Sequence, residues 1–276
     1  MKILGIGNAL VDIILFLENE SLLTRFALPK GSMQLVDSQM ASEVEAAAGS
    51  SRKHMASGGS AANTIHGLAR LGVETAFMGT VGKDSFGDFF VRDMESCGIL
   101  PLLALSTSST GRAISLVTPG GERTFTTYLG AAIELAVSNL TTDLFRGYHH
   151  LHLEGYLVPN QQLVEKAFVL ARQNNMSVSL DLASFNVVEA NLSFLERIIR
   201  QYKPIIFANE EEAKAFTGMT DPAEAIECFA GITNTAIVKI GSRGSLITHQ
   251  GKRYSANAIR ANCIDTTGAG DLFAAG

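Results

Sequence analysis

The chain has 276 residues, of which 46% are hydrophobic and 18% charged, which is enough to bury a large core and excludes a disordered or low-complexity protein. A formal net charge of −5 gives no overall basic field for nucleic acid or an anionic membrane, and no apolar run reaches the roughly eighteen residues of a membrane span. Cys97, Cys228 and Cys263 have the spacing of neither a disulfide framework nor a zinc site, and the N-terminus reads directly as a strand rather than a signal peptide, so a cytoplasmic protein is expected.

Residues 2–7 form an apolar strand that ends in Gly5-Ile6-Gly7-Asn8, with Asp12 close behind. In open parallel sheets ligands gather at such strand ends, although an isolated Asp also suits a solvated turn. A dinucleotide-binding fingerprint would need a third glycine where Leu10 stands, and a helix where residues 13–17 read as another strand. Short apolar runs and turns, including Pro29-Lys30-Gly31-Ser32, lead to an alanine-rich helix over 38–48, and Gly49-Ser50-Ser51-Arg52 has the character of a short flexible link.

The segment Ser57-Gly58-Gly59-Ser60-Ala61-Ala62-Asn63 opens an amphipathic helix that runs to Gly72. Paired glycines let backbone approach a ligand closely, and Asn63 carries both a donor and an acceptor; a plain strand-to-helix turn uses the same residues. A strand over 73–81 and a helix over 85–97 continue a βαβ rhythm. Gly79-Thr80-Val81-Gly82-Lys83-Asp84 lacks the spacing of a phosphate-binding Walker loop, so Lys83 reads as a surface charge.

Residues 110–117 and 122–128 alternate as strands around Pro119-Gly120-Gly121, a hairpin that with residues 13–36 can make a small second sheet. Next, His150, His152 and Glu154 share one face of a strand; ligands in a row on one strand rarely converge on a single ion, so the histidines read as structural. Helix and strand then alternate: a helix over 160–174, a strand over 177–181, a helix through Tyr202 and a strand over 205–208. Asn209 caps a helix whose first turn carries Glu210, Glu211 and Glu212. A buried strand over 236–240 leads into Gly241-Ser242-Arg243-Gly244, which a hairpin turn also explains.

The chemically richest stretch is the last, Asp265-Thr266-Thr267-Gly268-Ala269-Gly270-Asp271-Leu272-Phe273-Ala274-Ala275-Gly276. Glycines around Ala269 let successive amides point outward at a helix N-terminus, which makes an anion cradle. A carboxylate beside that cradle, Asp271, is placed to take a proton from a hydroxyl attacking phosphorus, though Asp in a first helical turn is also an ordinary capping choice.

Together the 57–72 and 265–276 segments resemble the two signatures of the PfkB (ribokinase) family of sugar and nucleoside kinases, and the resemblance extends over essentially the whole chain. It implies an α/β, ribokinase-like three-layer sandwich: one domain over 1–276 with a mostly parallel central sheet, helices on both faces, and lid segments at about 13–36 and 110–128. It also implies an ATP- and Mg²⁺-dependent phosphotransferase acting on an alcohol group. By resemblance Asp271 is the general base and the amides of Gly268, Ala269 and Gly270 the anion hole. Asp12, Asn8, Gly58, Gly59, Asn63 and Glu154 contact the acceptor. Asn209 and Glu212 organise Mg²⁺ through its water shell, Gly241, Ser242 and Gly244 meet ATP, and Asp265 belongs to a monovalent-cation (K⁺) site known in some members. A homodimer through the lid is also expected. Ile65 departs from the small residue usual at its position, and the family's C-terminal continuation beyond residue 276 is missing from the sequence, which leaves a catalytically silent sugar- or nucleoside-binding protein as the alternative. An NAD(P)-dependent oxidoreductase built on Gly5-x-Gly7 is the more distant one.

Overall fold

The computed structural model describes residues 1–49, 52–261 and 266–276; the link at 50–51 and both Cys263 and Asp265 lie outside the described residues. Among the described residues, fourteen strands are distributed over two sheets. The larger runs β14-β13-β12-β11-β10-β9-β1-β5-β6, taking β1 as Lys2–Ile6, β5 as Glu74–Gly82, β6 as Ile99–Ser106, β9 as His150–Glu154, β10 as Ser177–Asp181, β11 as Ile205–Asn209, β12 as Thr235–Lys239, β13 as Ser245–His249 and β14 as Lys252–Ala256. From β12 to β6 every pair is parallel, and only the pairs β12–β13 and β13–β14 are antiparallel. The order reverses direction at β1, so ligand-binding residues are expected beyond the carboxyl ends near that strand.

The central strands are buried on both faces, as β5 with its near-continuous apolar run shows. One face carries Leu4, Leu151, Leu180, Ile206 and Val238 in a core shared with the helices Gln161–Gln173, Leu192–Tyr202 and Pro222–Ala230. The other carries Ile3 and Phe77 in a core shared with Ser60–Arg70, which we call α1, and Ser85–Ser96, α2. Gly5 admits Ile65 of α1 against β1, since a Cβ there would strike that side chain. The three-layer arrangement expected from the sequence is therefore present.

The second sheet has the order β3-β8-β7-β2-β4, with β2 Leu10–Phe16, β3 Met33–Leu35, β4 Arg52–Gly58, β7 Gly111–Val117 and β8 Arg123–Tyr128. The hairpin β7–β8 pairs antiparallel in the register the turn at Pro119-Gly120-Gly121 sets. Strand β4, which sequence reading leaves as a link and a turn, pairs antiparallel with β2 all along its length. The sequence also gives no clear sign of β6, whose Pro101 is tolerated because β6 is an edge strand. The single helix expected to run through Tyr202 is two, Phe185–Ala190 and Leu192–Tyr202: Asn191 breaks it by donating its side-chain amide to the Val187 carbonyl at 2.9 Å. Among the described residues, no helix is long and apolar enough to cross a membrane.

Candidate active site

The carboxyl ends of β10, β11 and β12 and the inner face of the second sheet enclose a cavity of about 710 Å³. Asp12, Gly59, Asn63, Asn209, Glu212, Gly268, Gly270 and Asp271 line it, so eight of the residues singled out in the sequence meet in one place.

Asp271 lies in the first turn of the short helix Ala269–Ala275, α3, which packs along α1. Gly67 permits that approach, because a Cβ there would sit 2.7 Å from Ala275 Cβ. Ser60 Oγ donates to Asp271 Oδ1 at 2.8 Å, Asn63 Nδ2 donates to Oδ2 at 2.9 Å, and Thr64 Oγ1 donates to the Asp271 carbonyl at 3.1 Å. Burial raises the Asp271 pKa, while the Asn63 and Ser60 hydrogen bonds restrain the rise. Gly268 caps this helix in the left-handed region at φ 70°, and Ala269 N–H donates to the Thr266 carbonyl at 3.0 Å.

Opposite stands Asp12 on β2, whose carboxyl is pushed up to about 7, first by burial and then by the charge of Asp271. Gly58 lies directly against the Asp12 carboxylate and has no room for a side chain. Gly59, at φ 104°, leads from β4 into α1 with its Cα against the Asn8 carbonyl, so both the backbone angle and the space require glycine there. Asn8 is buried, and its Oδ1 has no hydrogen-bond partner among the described residues.

Glu154 is 1% exposed and accepts from the backbone N–H of Asn8 and of Ala61, each at 2.8 Å. Both oxygens are thus engaged in tying the end of β1 to the start of α1, beneath the cavity rather than on its wall. Burial pushes its pKa up to about 7 against the pull of those amides. His150 bonds Ser177 and Ser179, and His152 bonds Ser179, so the two histidines join β9 to β10.

Asn209 and Glu212 form a reciprocal cap at the end of β11: Glu212 Oε2 accepts from Asn209 N–H and Oε1 from Asn209 Nδ2, while Asn209 Oδ1 accepts from Glu212 N–H. Burial and the nearby Asp181 charge push Glu212 up to about 7. The Gly241–Arg243 turn and Gly244 follow β12 at the exposed rim, outside this cavity; Arg243 is ion-paired to Glu210, and Gly244 packs on the Ala256 carbonyl.

Sequence reasoning missed Ser60, Asp181 and Lys239. Asp181 and Lys239 end β10 and β12 and form an ion pair at 3.0 Å in which the carboxylate is buried and the ammonium half-buried. A charged residue closing an apolar parallel strand is the signal that marks both. Ser57 is a further omission: its Oγ donates to Asp93 at 2.6 Å and meets His66 Nε2 at 2.7 Å, fastening β4 to α1 and α2.

A doubly covered parallel sheet, with a second sheet over its carboxyl ends and a hydrogen-bonded carboxylate at a glycine turn, is the ribokinase-like architecture. The pattern described as pfkB family carbohydrate kinase matches residues 32–276, and the chain belongs to that family. Among solved structures, the adenosine kinase from Sinorhizobium meliloti is 32% identical with a TM-score of 0.86, over 100% of this chain and 85% of that one. A probable sugar kinase protein from Rhizobium etli CFN 42 is 33% identical with a TM-score of 0.87, over 100% and 84%. An uncharacterized sugar kinase from Archaeoglobus fulgidus is 27% identical over 215 residues, 76% of this chain and 84% of that protein. Kinase chemistry on a sugar or nucleoside is the activity of this family, and this chain is a kinase of that kind.

Proposed function

We propose that the chain transfers the terminal phosphoryl group of ATP to a hydroxyl of a sugar or nucleoside, with Asp271 as general base. The observation that carries the reading is the Asp271 carboxylate, oriented by Ser60 and Asn63 and facing Asp12 across the cavity. A base needs a free lone pair and a pKa brought toward the working pH; burial supplies the second, and two fixed donors orient the first. Asp12, whose carboxylate accepts no hydrogen bond from a described residue, is suited to receive acceptor hydroxyls. The anion hole falls on the 268–270 turn, with most weight on Gly268 and Gly270 because the Ala269 amide already serves Thr266. The second sheet acts as a lid that excludes water.

The residues also fit a magnesium ion. Asp181 and Glu212 offer carboxylate oxygens, the chemistry a hard cation and its water shell take, while among the described residues no three such side chains converge to hold an ion directly. Both Glu212 oxygens are engaged by Asn209, which favours action through ordered water rather than direct ligation. When bound, the ion neutralises phosphate charge; the chain's own residues position the acceptor and move its proton.

The similar proteins named as adenosine kinase and as sugar kinase leave the acceptor as a sugar or a nucleoside. ADP release with Mg-ATP should therefore be measured against adenosine, other nucleosides, ribose and fructose, with Asp271→Asn alongside. We expect one acceptor class to give a signal that falls about 10²–10⁴-fold in the variant, the range of a general base. Acceptor binding without ADP formation would replace this reading by a silent binding protein.

A further inference from the structure

Phosphotransfer brings several negative charges into a cavity already walled by Asp12, Asp93, Asp181, Glu212 and Asp271. Among the described lining residues the lysine and arginine charges are Arg70, Arg123 and Lys239. Arg70 closes the far end of α1 and is exposed, and Arg123 opens β8 on the second sheet. Lys239 alone of the three comes from the carboxyl edge of the central sheet, opposite Asn209 of β11 in register.

Its ammonium is also placed against the glycine turn. A Cβ on Gly270 would lie 3.2 Å from Lys239 Nζ, so the charge rests against the residue that precedes Asp271. The side chain is only 16% exposed, and its partner Asp181 is 6% exposed. Asp181 does not depend on the lysine alone, since its Oδ1 accepts the Ala183 amide at 2.8 Å while Oδ2 meets Lys239. An ion pair so largely shielded from solvent is weak evidence of a stabilising role, because desolvating its charges offsets much of their attraction. A lysine held by an acid at the wall of an anion-binding cavity has a second use.

Resting on the phosphotransfer reading above, we propose that Lys239 is a further catalytic residue, whose ammonium contacts the non-bridging oxygens of the phosphoryl group as it moves. In the step, the bond from the acceptor oxygen to phosphorus forms and the bond from phosphorus to the bridging oxygen breaks. The electron pair leaves with ADP, and the acceptor proton goes to Asp271. Lys239 forms no covalent bond and keeps its protons. Asp181 positions the ammonium.

The test compares Lys239→Met, Lys239→Arg, Asp181→Asn and the double variant Lys239→Met/Asp181→Asn with the unaltered chain. Loss of one preorganised donor costs about 10²–10³ in kcat, so Lys239→Met should fall by that factor with the acceptor KM within about threefold, and Lys239→Arg should recover part of the loss. The double variant removes both charges and so tests folding and chemistry separately: it should turn over far more slowly than Asp181→Asn. Equal rates for those two would reduce Lys239 to a counter-charge for Asp181 and overturn the proposal. A readout free of turnover is the binding of inorganic tripolyphosphate with Mg²⁺ by calorimetry. We expect it to weaken at least about tenfold in Lys239→Met, one charge contact's worth. Unchanged tripolyphosphate affinity would sink the role of the lysine, whereas an unaltered chain that binds tripolyphosphate yet releases no ADP with any acceptor would sink the phosphotransfer reading alone.

Discussion

Two carboxylates of the site differ in what holds them. The Asp12 carboxylate has no hydrogen-bond donor among the described residues and faces the cavity; that of Glu154 has two backbone donors and faces inward. The resemblance assigns both to the acceptor, and for Glu154 the structure describes a clamp between β1 and α1. In Glu154→Gln the side-chain NH₂ would confront one of the two buried amides and leave it unsatisfied, at about 1–3 kcal/mol. Urea unfolding should show a loss of that size; a midpoint equal to that of the unaltered chain would mean that the two hydrogen bonds do not hold the strand end.

The turn between β4 and α1 leads from the second sheet into the helix that packs along α3, and it depends on one backbone angle. Gly59 has φ 104° and no space beside the Asn8 carbonyl, whereas Gly72, at φ 83°, has no atom within 4 Å of the point where a methyl group would sit. Alanine at Gly72 incurs left-handed strain alone, about 1–2 kcal/mol. At Gly59 the same strain is joined by a clash that only a shift of β1 or α1 would relieve, so Gly59→Ala should lose more than about 3 kcal/mol, if it folds at all. Side-by-side denaturation of the two variants checks this, and equal losses would refute the steric account. At the same scale, Asn209 and Glu212 form their capping box as the local spacing dictates, while the break at Asn191 depends on one side chain choosing a carbonyl four residues back.

Across the whole molecule, burial raises Asp12, Glu154 and Glu212 to about 7, from ordinary values of 3.8, 4.5 and 4.5. Between those limits the folded chain binds protons that the unfolded chain has released. Stability therefore falls as pH rises through the window from about 4.5 to about 7, and the proton-linked contribution is gone once these groups ionise in the folded state. Asp84 acts in the opposite sense: its pKa is lowered by hydrogen bonds from Thr110, Gly87 and Phe86 acting against its own burial, so its contribution is lost only on acidification below the ordinary carboxylate range. The midpoint of thermal unfolding should accordingly be higher near about pH 5.5 than near about pH 8, with a shallower dependence in Glu154→Gln. A flat profile over that interval would show that these carboxylates are solvated enough to titrate normally.

Local patterns were sufficient for the parallel strands other than β6, for the hairpin around Pro119-Gly120-Gly121, for the Asn209 cap and for the family, because each is written in neighbouring residues whose period or turn chemistry reads directly. Asp271 and its glycine turn stood out for the same reason. Pairings between distant residues were not legible. Ser60 and Asn63 reach Asp271 across 211 and 208 positions, and Lys239 reaches Asp181 across 58. Strand β4 shows no clear alternation and is defined by its partner β2, and the inward turn of Glu154 is set by amides of β1's end and α1. The sequence by itself determined the glycine turn before Asp271 and the Asn209–Glu212 cap, since backbone propensity and motif spacing act over a few residues. Only the tertiary structure decided which side chains share a cavity and which lie buried beneath it, because desolvation and charge pairing depend on what the folded chain brings alongside each group.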